Sequence, residues 1–447
     1  MAENGETRSR RSGMNWRLIV RALQHRNYRL FFGGQGISLI GTWMTRVATA
    51  WLVYRLTGSA FLLGLVSFAS QIPILFLGPF AGVWVDRLNR RQVLVITQVL
   101  SMLESFVLAG LALGHVITVT EIILLNLFQG AVNAFDMPGR QAFVVEMVED
   151  PEDLGNAIAL NSSLVNAARL IGPSVAGLLI AAVGEGYCFL IDGISYIAVI
   201  ASLLAMTVTH QRATRAPKKV LAELREGWDY VRGFHPIRSI LLLLALISLV
   251  GMPYTALMPI FAGQILHGGA NTLGFLMAAI GVGALIGALM LAARQSVLGL
   301  GRVIPMTAAG FGASLIVFAT SRTMWLSCLL LVVTGFCFMQ NLASSNTILQ
   351  TITEDEKRGR VMSFYSVAFQ GIAPFGSLAA GAVANWIGAP RTLMIGGAAL
   401  IAGAGLFASQ LQKLRRLIRP IYVRIGILPE VASGIETASL LQEPPLD

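Results

Sequence analysis

Long apolar stretches alternate with short polar breaks along most of the chain. A helix that crosses a bilayer needs about 20 mostly apolar residues, and twelve stretches meet that need. They fall at 30–55, 60–83, 92–113, 119–144, 156–183, 186–207, 238–264, 271–293, 302–320, 324–348, 360–385 and 391–411. The breaks between them carry turn residues, as in Thr57-Gly58-Ser59 and Gly184-Glu185-Gly186. The pattern predicts an all-α integral membrane protein with twelve transmembrane helices.

Composition supports the same class. The chain is 55% hydrophobic and only 13% charged, whereas soluble domains are about a quarter charged. A soluble enzyme or a disordered chain is therefore excluded, because neither carries so much apolar surface. Cys188, Cys328 and Cys337 lie in apolar stretches, and we interpret them as buried thiols rather than as a disulfide framework.

The distribution of basic residues predicts the orientation. Of the 33 Lys and Arg, only Arg55, Arg322 and Arg391 lie in the loops of one side. The tails and the opposite loops carry most of the others. By the positive-inside rule, both termini face the cytoplasm, and we expect a multi-pass protein of the bacterial inner membrane. The lipid bilayer then explains the net charge of +10, and we expect no nucleic-acid partner.

The chain divides into two related halves. We predict a cytoplasmic tail at 1–27, a six-helix lobe at 28–207, a basic cytoplasmic linker at 208–237, a second six-helix lobe at 238–411 and a cytoplasmic tail at 412–447. Amphipathic patterns predict surface helices in the linker and at 412–424. A shift of 204 positions carries four glycines of the first half onto glycines of the second, namely Gly155, Gly172, Gly177 and Gly184 onto Gly359, Gly376, Gly381 and Gly388. Transporters with such repeats bind substrate near the midplane between the lobes.

Several enzymatic chemistries have no motif in the chain. None of the four lysines follows a glycine, so a Walker A phosphate loop is missing. The motifs HExxH, CxxC and GxSxG are missing as well. We therefore expect no enzymatic activity, no cofactor and no metal site.

The loop after the second predicted helix reads Gly82-Val-Trp-Val-Asp86-Arg87-Leu-Asn89-Arg90-Arg91. It resembles the signature of the major facilitator superfamily, G-x-x-x-D-R-x-G-R-R/K, with Asn89 in place of the second glycine. We expect Asn89 to adopt the positive φ of that glycine. The resemblance implies that Asp86 faces the start of the eleventh helix in the outward-open state and so acts in gating. Arg87, Arg90 and Arg91 either pair with the acidic stretch from Glu146 to Asp153 or act only as topological charges.

The fifth predicted helix carries Gly172, Pro173 and Gly177. This set resembles the exporter motif of the same superfamily, GPxxGG, with Ala176 in place of one glycine. The run from Gly41 to Ser59 is similar to a narrower bacterial group, the enterobactin-exporter-like permeases, also described as transmembrane secretion effectors. That resemblance implies outward transport of a small organic molecule or siderophore against inward proton flow.

Six ionisable residues lie in or near the membrane, all in the first half: Arg46, Glu104, Asp136, Arg140, Arg169 and Asp192. Each costs about 2.5 kcal/mol or more in lipid, so we expect them to face the interior and to pair. Depth along the helices allows three pairs, Arg46 with Asp192, Glu104 with Arg169, and Asp136 with Arg140. They are candidates for proton coupling. The alternative is a structural role, either as ion pairs or, for the last pair, as a clamp within one helix.

Polar side chains recur on single faces of several predicted helices. A polar face of a membrane helix either forms hydrogen bonds to neighbouring helices or lines a water-filled cavity. The first, fourth, seventh and tenth helices line the cavity in the superfamily that the chain resembles. The candidates for its lining are Gln35, Thr42, Asn133, Asn166, Tyr254, Gln340 and Asn341.

These observations predict a secondary active transporter that works by alternating access, as a monomer, on a small-molecule substrate. We expect a proton-coupled exporter of siderophore-like or drug-like molecules, an antiporter. An importer or uniporter of the same fold is the alternative within transport. A non-transporting receptor or scaffold is the alternative from another class, although the short tails hold no signalling domain.

Overall fold

The computed structural model describes residues 21–148, 150–207, 220–294 and 296–427. These residues form helices and no strands. Fourteen helices in the described ranges are named here in chain order: α1 Arg26–Thr57, α2 Ala60–Arg87, α3 Arg90–Leu113, α4 Val119–Met147, α5 Leu154–Val183, α6 Glu185–Ala205, α7 Val220–Gly233, α8 His235–Ile265, α9 Ala270–Ala292, α10 Leu300–Thr320, α11 Met324–Ile352, α12 Asp355–Ile387, α13 Ala389–Ser409 and α14 Leu411–Arg424.

Ten stretches within the described residues are long and apolar enough to cross a membrane. They lie in α2, α3, α5, α6 and α8 to α13. The two others of the twelve predicted spans are present as α1 and α4, with 32 and 29 residues. Polar and charged side chains along α1 and α4 lower their hydropathy. The all-helical membrane fold is confirmed, while composition alone supports ten of the twelve spans.

Local chemistry explains where several helices begin. Ser59 precedes α2 and its hydroxyl accepts a hydrogen bond from the Leu62 amide at 3.3 Å. Thr118 and Glu121 form a capping box at the start of α4. These side chains satisfy amide groups that have no partner inside the helix.

The helices form two bundles that meet along two seams. In the first bundle α1 packs against α5 and α6, and α4 packs against α2 and α3. In the second, α11 packs against α9 and α10, and α10 packs against α13. The seams between the bundles are α2 with α12 and α5 with α9. We call the end of the molecule with Arg26 and Ser409 the near end, and the end with Thr57 and Ile387 the far end.

The backbone reproduces the glycine repeat. Gly184 and Gly388, which are 204 positions apart, end α5 and α12 with φ of 92° and 87°. Only glycine adopts such φ values readily. The two halves therefore turn in the same way at the far end.

Two helices lie outside the membrane-spanning set, where the sequence predicts surface helices. The first, α7, covers 220–233 of the linker, and residues 208–219 are outside the described part. The second, α14, spans Leu411–Arg424, in agreement with the prediction at 412–424. The tails at 1–20 and 428–447 also lie outside the described residues.

Candidate functional site

A buried carboxyl cluster joins α1, α3 and α6. Asp192 of α6 is only 1% exposed, and it accepts hydrogen bonds from the hydroxyls of Thr45 at 2.8 Å and Ser105 at 3.2 Å. Glu104, also buried, lies beside Ser105, with 3.5 Å between the hydroxyl and its Oε2. Asp192 Oδ1 has no hydrogen-bond partner among the described residues. The cluster thus holds two carboxyl groups that interact electrostatically.

A pair of arginines lies next to this cluster, around one indole ring. The Arg46 guanidinium is 4.8 Å from the centroid of Trp43, and the Arg169 guanidinium is 5.1 Å from it. Arg46 also interacts electrostatically with Asp192. Within the described residues, no carboxylate oxygen comes within 4.0 Å of either guanidinium. Arg46 is exposed although it lies in the middle of α1.

Of the three pairs that depth allowed, only Asp136 with Arg140 forms a direct ion pair among the described residues. Glu104 and Arg169 do not pair, because Glu104 faces Asp192 while Arg169 faces Trp43 and Tyr254. Arg46 and Asp192 are neighbours without direct contact. Depth along a helix fixes only one coordinate, and the direction of each side chain around the helix decides the pairing.

Asp136 and Arg140 form an ion pair one turn apart on α4. Asp136 is 2% exposed and also accepts hydrogen bonds from Thr97 at 3.0 Å and Gln98 at 2.7 Å on α3. The carboxylate therefore ties α3 to α4 and has several donors. Asp136 and Arg140 thus have the geometry of a clamp within one helix. That structural role is the alternative to proton coupling given above for this pair.

The loop between α2 and α3 differs from the expectation in one residue. Asn89 has φ of −69°, so the predicted positive φ is wrong. Asn89 instead caps α3, where its side chain accepts a hydrogen bond from the Gln92 amide at 3.2 Å. A cap residue needs an extended backbone, because its side chain must fold back onto the first turn.

The arginines of this loop have separate partners. Arg90 pairs with Glu146 of α4 at 2.6 Å, as one alternative predicted. Arg91 instead donates to the carbonyls of Leu203 and Leu204 at 2.7 and 2.6 Å, which end α6. Arg87 is exposed and belongs with Asp86 to the last turn of α2. The Asp86 side chain lies outside the described part, so its gating role stays a prediction.

Gly172 and Gly177 bring α5 against two different helices. A Cβ on Gly172 would lie 2.5 Å from the Trp43 Cβ of α1. A Cβ on Gly177 would lie 2.8 Å from the Gly274 Cα of α9. Pro173 is buried between them. Any larger residue at either glycine forces the helices apart.

In the other seam, between α2 and α12, two helices also approach each other closely at glycines of the far end. A Cβ on Gly381 of α12 would lie 3.0 Å from the Gly64 Cα of α2. Among the described residues, no atom lies within 4 Å of such a Cβ on Gly78 of α2, Gly155 of α5 or Gly359 of α12, all nearer to the near end. The close contacts between glycines of the two seams therefore lie towards the far end.

The predicted cavity residues fall into two groups. In α11, the Gln340 amide donates to the Gly287 carbonyl at 3.1 Å and the Asn341 amide donates to the Ile304 carbonyl at 2.8 Å. These two side chains therefore join helices, which is the alternative given for them. Tyr254 is buried against Phe311, with ring centroids 5.9 Å apart. In the first half, Gln35 is buried, and Thr42, Asn133 and Asn166 are half-buried.

Sequence reasoning missed a contact network at the near end. Arg21 and His25 both bind the Asp153 carboxylate, His25 at 2.9 Å, and so attach the segment before α1 to the start of α5. The hydrogen bond from His25, and then the Arg21 guanidinium, hold the pKa of Asp153 below its ordinary value. No short motif marks this network, because Asp153 is 128 or more positions from Arg21 and His25.

The linker helix makes a second unpredicted contact. Glu226 of α7 pairs with Arg360 of α12, and the Trp228 ring lies 5.9 Å from the Phe364 ring. Lys357 of α12 lies 4.6 Å from the Tyr230 ring of α7. The linker is thus held against the near end of the second bundle.

Two helical bundles that meet along two seams, with charged residues in the interior of the first, have the architecture of a membrane transporter. The sequence matches the transmembrane secretion effector family of the major facilitator superfamily over residues 20–418. The chain belongs to this family, and the recognition made from its motifs is confirmed.

Named relatives are transporters at low identity. The chain is 28% identical to the staphyloferrin A transporter of Staphylococcus aureus, over 87% of this chain and 97% of the relative. It is 27% identical to the multidrug efflux pump Tap of Mycolicibacterium fortuitum, over 84% of this chain and 93% of the relative. Among solved structures, an inward-facing bacterial homolog of the human lysosomal transporter Spinster has a TM-score of 0.66 at 14% identity, over 89% of this chain and 98% of that one. The structural likeness shows the fold alone.

Proposed function

We propose that this chain is a proton-coupled exporter of small organic molecules that works by alternating access. The observation that carries the proposal is the pair of equivalent contacts that join the two bundles towards the far end, Gly177 with Gly274 and Gly381 with Gly64. Two bundles that meet in this way, with ionisable residues in the interior of the first bundle, have the architecture of an alternating-access transporter.

We propose further that the near end faces the cytoplasm of a bacterium and that the protein lies in the inner membrane. The basic loops and tails support this orientation, since Lys and Arg concentrate on the cytoplasmic side. The close glycine contacts of the two seams then lie towards the outer side of the membrane, which supports an inward-open state that accepts a molecule from the cytoplasm. Export is also supported by the exporter-like glycines of α5 and by relatives whose names describe efflux.

Asp192 and Glu104 are the proton carriers that we propose. Both are buried, both lack a direct ion pair among the described residues, and one Asp192 oxygen is without a hydrogen-bond partner. Asp136 is a weaker candidate because Arg140, Thr97 and Gln98 already bind its carboxylate. A carboxyl group that gains and loses a proton must not be fixed by a full set of donors.

The relatives differ in the class of substrate that their names give. Their names point to a siderophore in one case and to drugs, including a macrolide, in others. We propose a siderophore-like or drug-like substrate for this chain. The importer or uniporter remains the alternative within transport.

The test uses everted membrane vesicles with an imposed proton gradient, acid inside. Candidate siderophores and macrolides are added outside, and proton efflux and solute uptake are both measured. An exporter takes up a solute and releases protons in a fixed ratio. Solute movement that is independent of the proton gradient contradicts coupling, and movement only in the opposite orientation contradicts export. No flux of either kind with any solute favours the receptor or scaffold.

A further inference from the structure

Arg169 has an unusual electrostatic setting for a residue in the middle of a membrane helix. Its guanidinium contacts the Trp43 ring and interacts with Tyr254, which is buried in α8. Among the described residues, it has no carboxylate within ion-pair distance. Charged residues in membrane helices almost always pair, or else mark the path of a substrate.

The neighbouring charges leave an excess of positive charge. Arg46 lies on the same indole ring, and the two guanidinium groups repel each other. Asp192 attracts Arg46, but it is already bonded to Thr45 and Ser105. Glu104 interacts with Asp192 rather than with either arginine. Neither cation therefore has a carboxylate at ion-pair distance among the described residues, in a medium where charge is weakly screened.

The position of Arg169 places this excess between the bundles. Its residue lies near the middle of α5, and a Cβ on Gly281 of α9 would lie 3.4 Å from the Arg169 carbonyl oxygen. Tyr254 lies on α8 of the second bundle, and Trp43 lies on α1 of the first. A group bound here touches both bundles. A transported molecule must do so while one end of the transporter closes and the other opens.

We infer that Arg169 and Arg46 form an anion-binding subsite, and that the transported molecule carries a carboxylate or another acidic group. The inference rests on the proposed transport function. Planar guanidinium groups bind carboxylates through two parallel hydrogen bonds. The subsite also suits the proposed cycle, because an anion that leaves while a proton enters follows an inside-negative membrane potential in both steps.

The test compares two xanthene dyes of opposite charge, anionic carboxyfluorescein and cationic tetramethylrhodamine methyl ester. Binding to the purified full-length chain in detergent is followed by fluorescence polarisation, with empty micelles as the blank. We expect the wild type to bind carboxyfluorescein about tenfold more tightly, a difference of about 1.4 kcal/mol. Arg169→Gln removes the preference, and Arg169→Lys restores part of it. Arg391→Gln, at an exposed arginine of the far end, is the matched control and keeps the preference.

The outcomes separate this inference from the proposed function. Equal binding of the dyes, tighter binding of the cation, no binding of carboxyfluorescein, or an unchanged preference in Arg169→Gln overturns the anion subsite. Proton-driven flux of the two dyes is then measured in proteoliposomes. Flux of the cationic dye alone overturns the subsite and supports transport. Binding of carboxyfluorescein without flux of either dye supports the subsite and contradicts the transport function.

Discussion

Gly177 of α5 and Gly274 of α9 pack backbone to backbone, since a Cβ on either would lie 2.8 Å from the Cα of the other. The same relationship holds between Gly381 of α12 and Gly64 of α2, where the distances are 3.0 and 3.1 Å. Gly177 and Gly381 are repeat positions, 204 residues apart. The two seams are therefore closed by equivalent contacts from the two halves of the chain.

Gly177→Val and Gly381→Val are expected to open the far end. The added side chain meets backbone atoms, which cannot move aside as a flexible side chain does, and overpacking of this kind costs about 1–3 kcal/mol. Each variant is expected to lose transport. A cysteine introduced at Ala60, which is buried at the far end of α2, in a chain whose own cysteines are replaced by serine, becomes more reactive towards a membrane-impermeant thiol reagent.

Gly110→Val is the control for this prediction. Gly110 is exposed on α3, and a Cβ there has no atom within 4 Å. The control is expected to leave both the reactivity of the cysteine and transport near the wild-type values. Unchanged reactivity in the two seam variants would show that the far end is closed by other contacts.

Asp192→Asn and Asp136→Asn are expected to fail in different ways. The first removes a proposed proton carrier without a change of shape, so the protein inserts and binds solute but no longer couples solute flux to the proton gradient. The second leaves Arg140 without its partner, and loss of one member of a buried ion pair costs about 3–5 kcal/mol. Its melting temperature is expected to fall.

The measurement pairs vesicle flux with thermal unfolding in detergent. Residual transport by Asp136→Asn is expected to keep the wild-type dependence on the proton gradient. If Asp192→Asn remains fully coupled while Asp136→Asn is stable and uncoupled, the two roles are reversed.

Arg91→Gln is expected to destabilise the near end of α6. The guanidinium donates to two carbonyls that end the helix, Leu203 and Leu204, and a hydrogen bond from a charged group contributes about 1.5–3 kcal/mol when it is shielded from water. Because these bonds are partly exposed, about 1 kcal/mol is expected in total. Arg87→Gln, at an exposed residue, is the control in thermal unfolding. If Arg87→Gln lowers the melting temperature as much as Arg91→Gln does, the contacts of Arg91 with the two carbonyls do not explain the loss of stability.

Asp153→Asn is expected to weaken the attachment of the segment before α1. The folded pKa of Asp153 is lowered, chiefly by the hydrogen bond from His25. A lowered pKa means that this carboxylate stabilises the fold above the pKa of the unfolded chain, and that the gain disappears as pH falls through the folded pKa. The difference in melting temperature between wild type and variant should therefore shrink as pH falls below about 5. A difference that grows in acid contradicts the assignment.

Helix positions could be predicted from the sequence alone. The stretch predicted at 92–113 is the helix Arg90–Leu113, and the stretch at 156–183 is Leu154–Val183. The prediction succeeds because a bilayer requires about 20 consecutive apolar residues in any spanning helix. Function at the level of a membrane transporter also followed from the sequence, through the motif from Gly82 to Arg91.

Turn conformation and pairing could not be predicted in the same way. Asn89 was expected at positive φ, yet α3 begins directly after it and requires a cap there. Asp153 was assigned to an acidic stretch that faces the loop arginines, yet Arg21 and His25 bind it. The contacts of Asp153 depend on segments that are far apart in the chain, whereas the cap of Asn89 is local, with the Gln92 amide as its partner.

The sequence by itself determined the class of protein, the helices and the depth of each charged residue, because hydrophobic length and helical rise are local properties. The tertiary structure decided which charges meet. Asp192 bonds to Thr45 and Ser105, while Arg169 shares the Trp43 ring with Arg46. The reason is that helix rotation and packing set the lateral position of a side chain, and glycines such as Gly172, where a Cβ would lie 2.5 Å from the Trp43 Cβ, allow that packing.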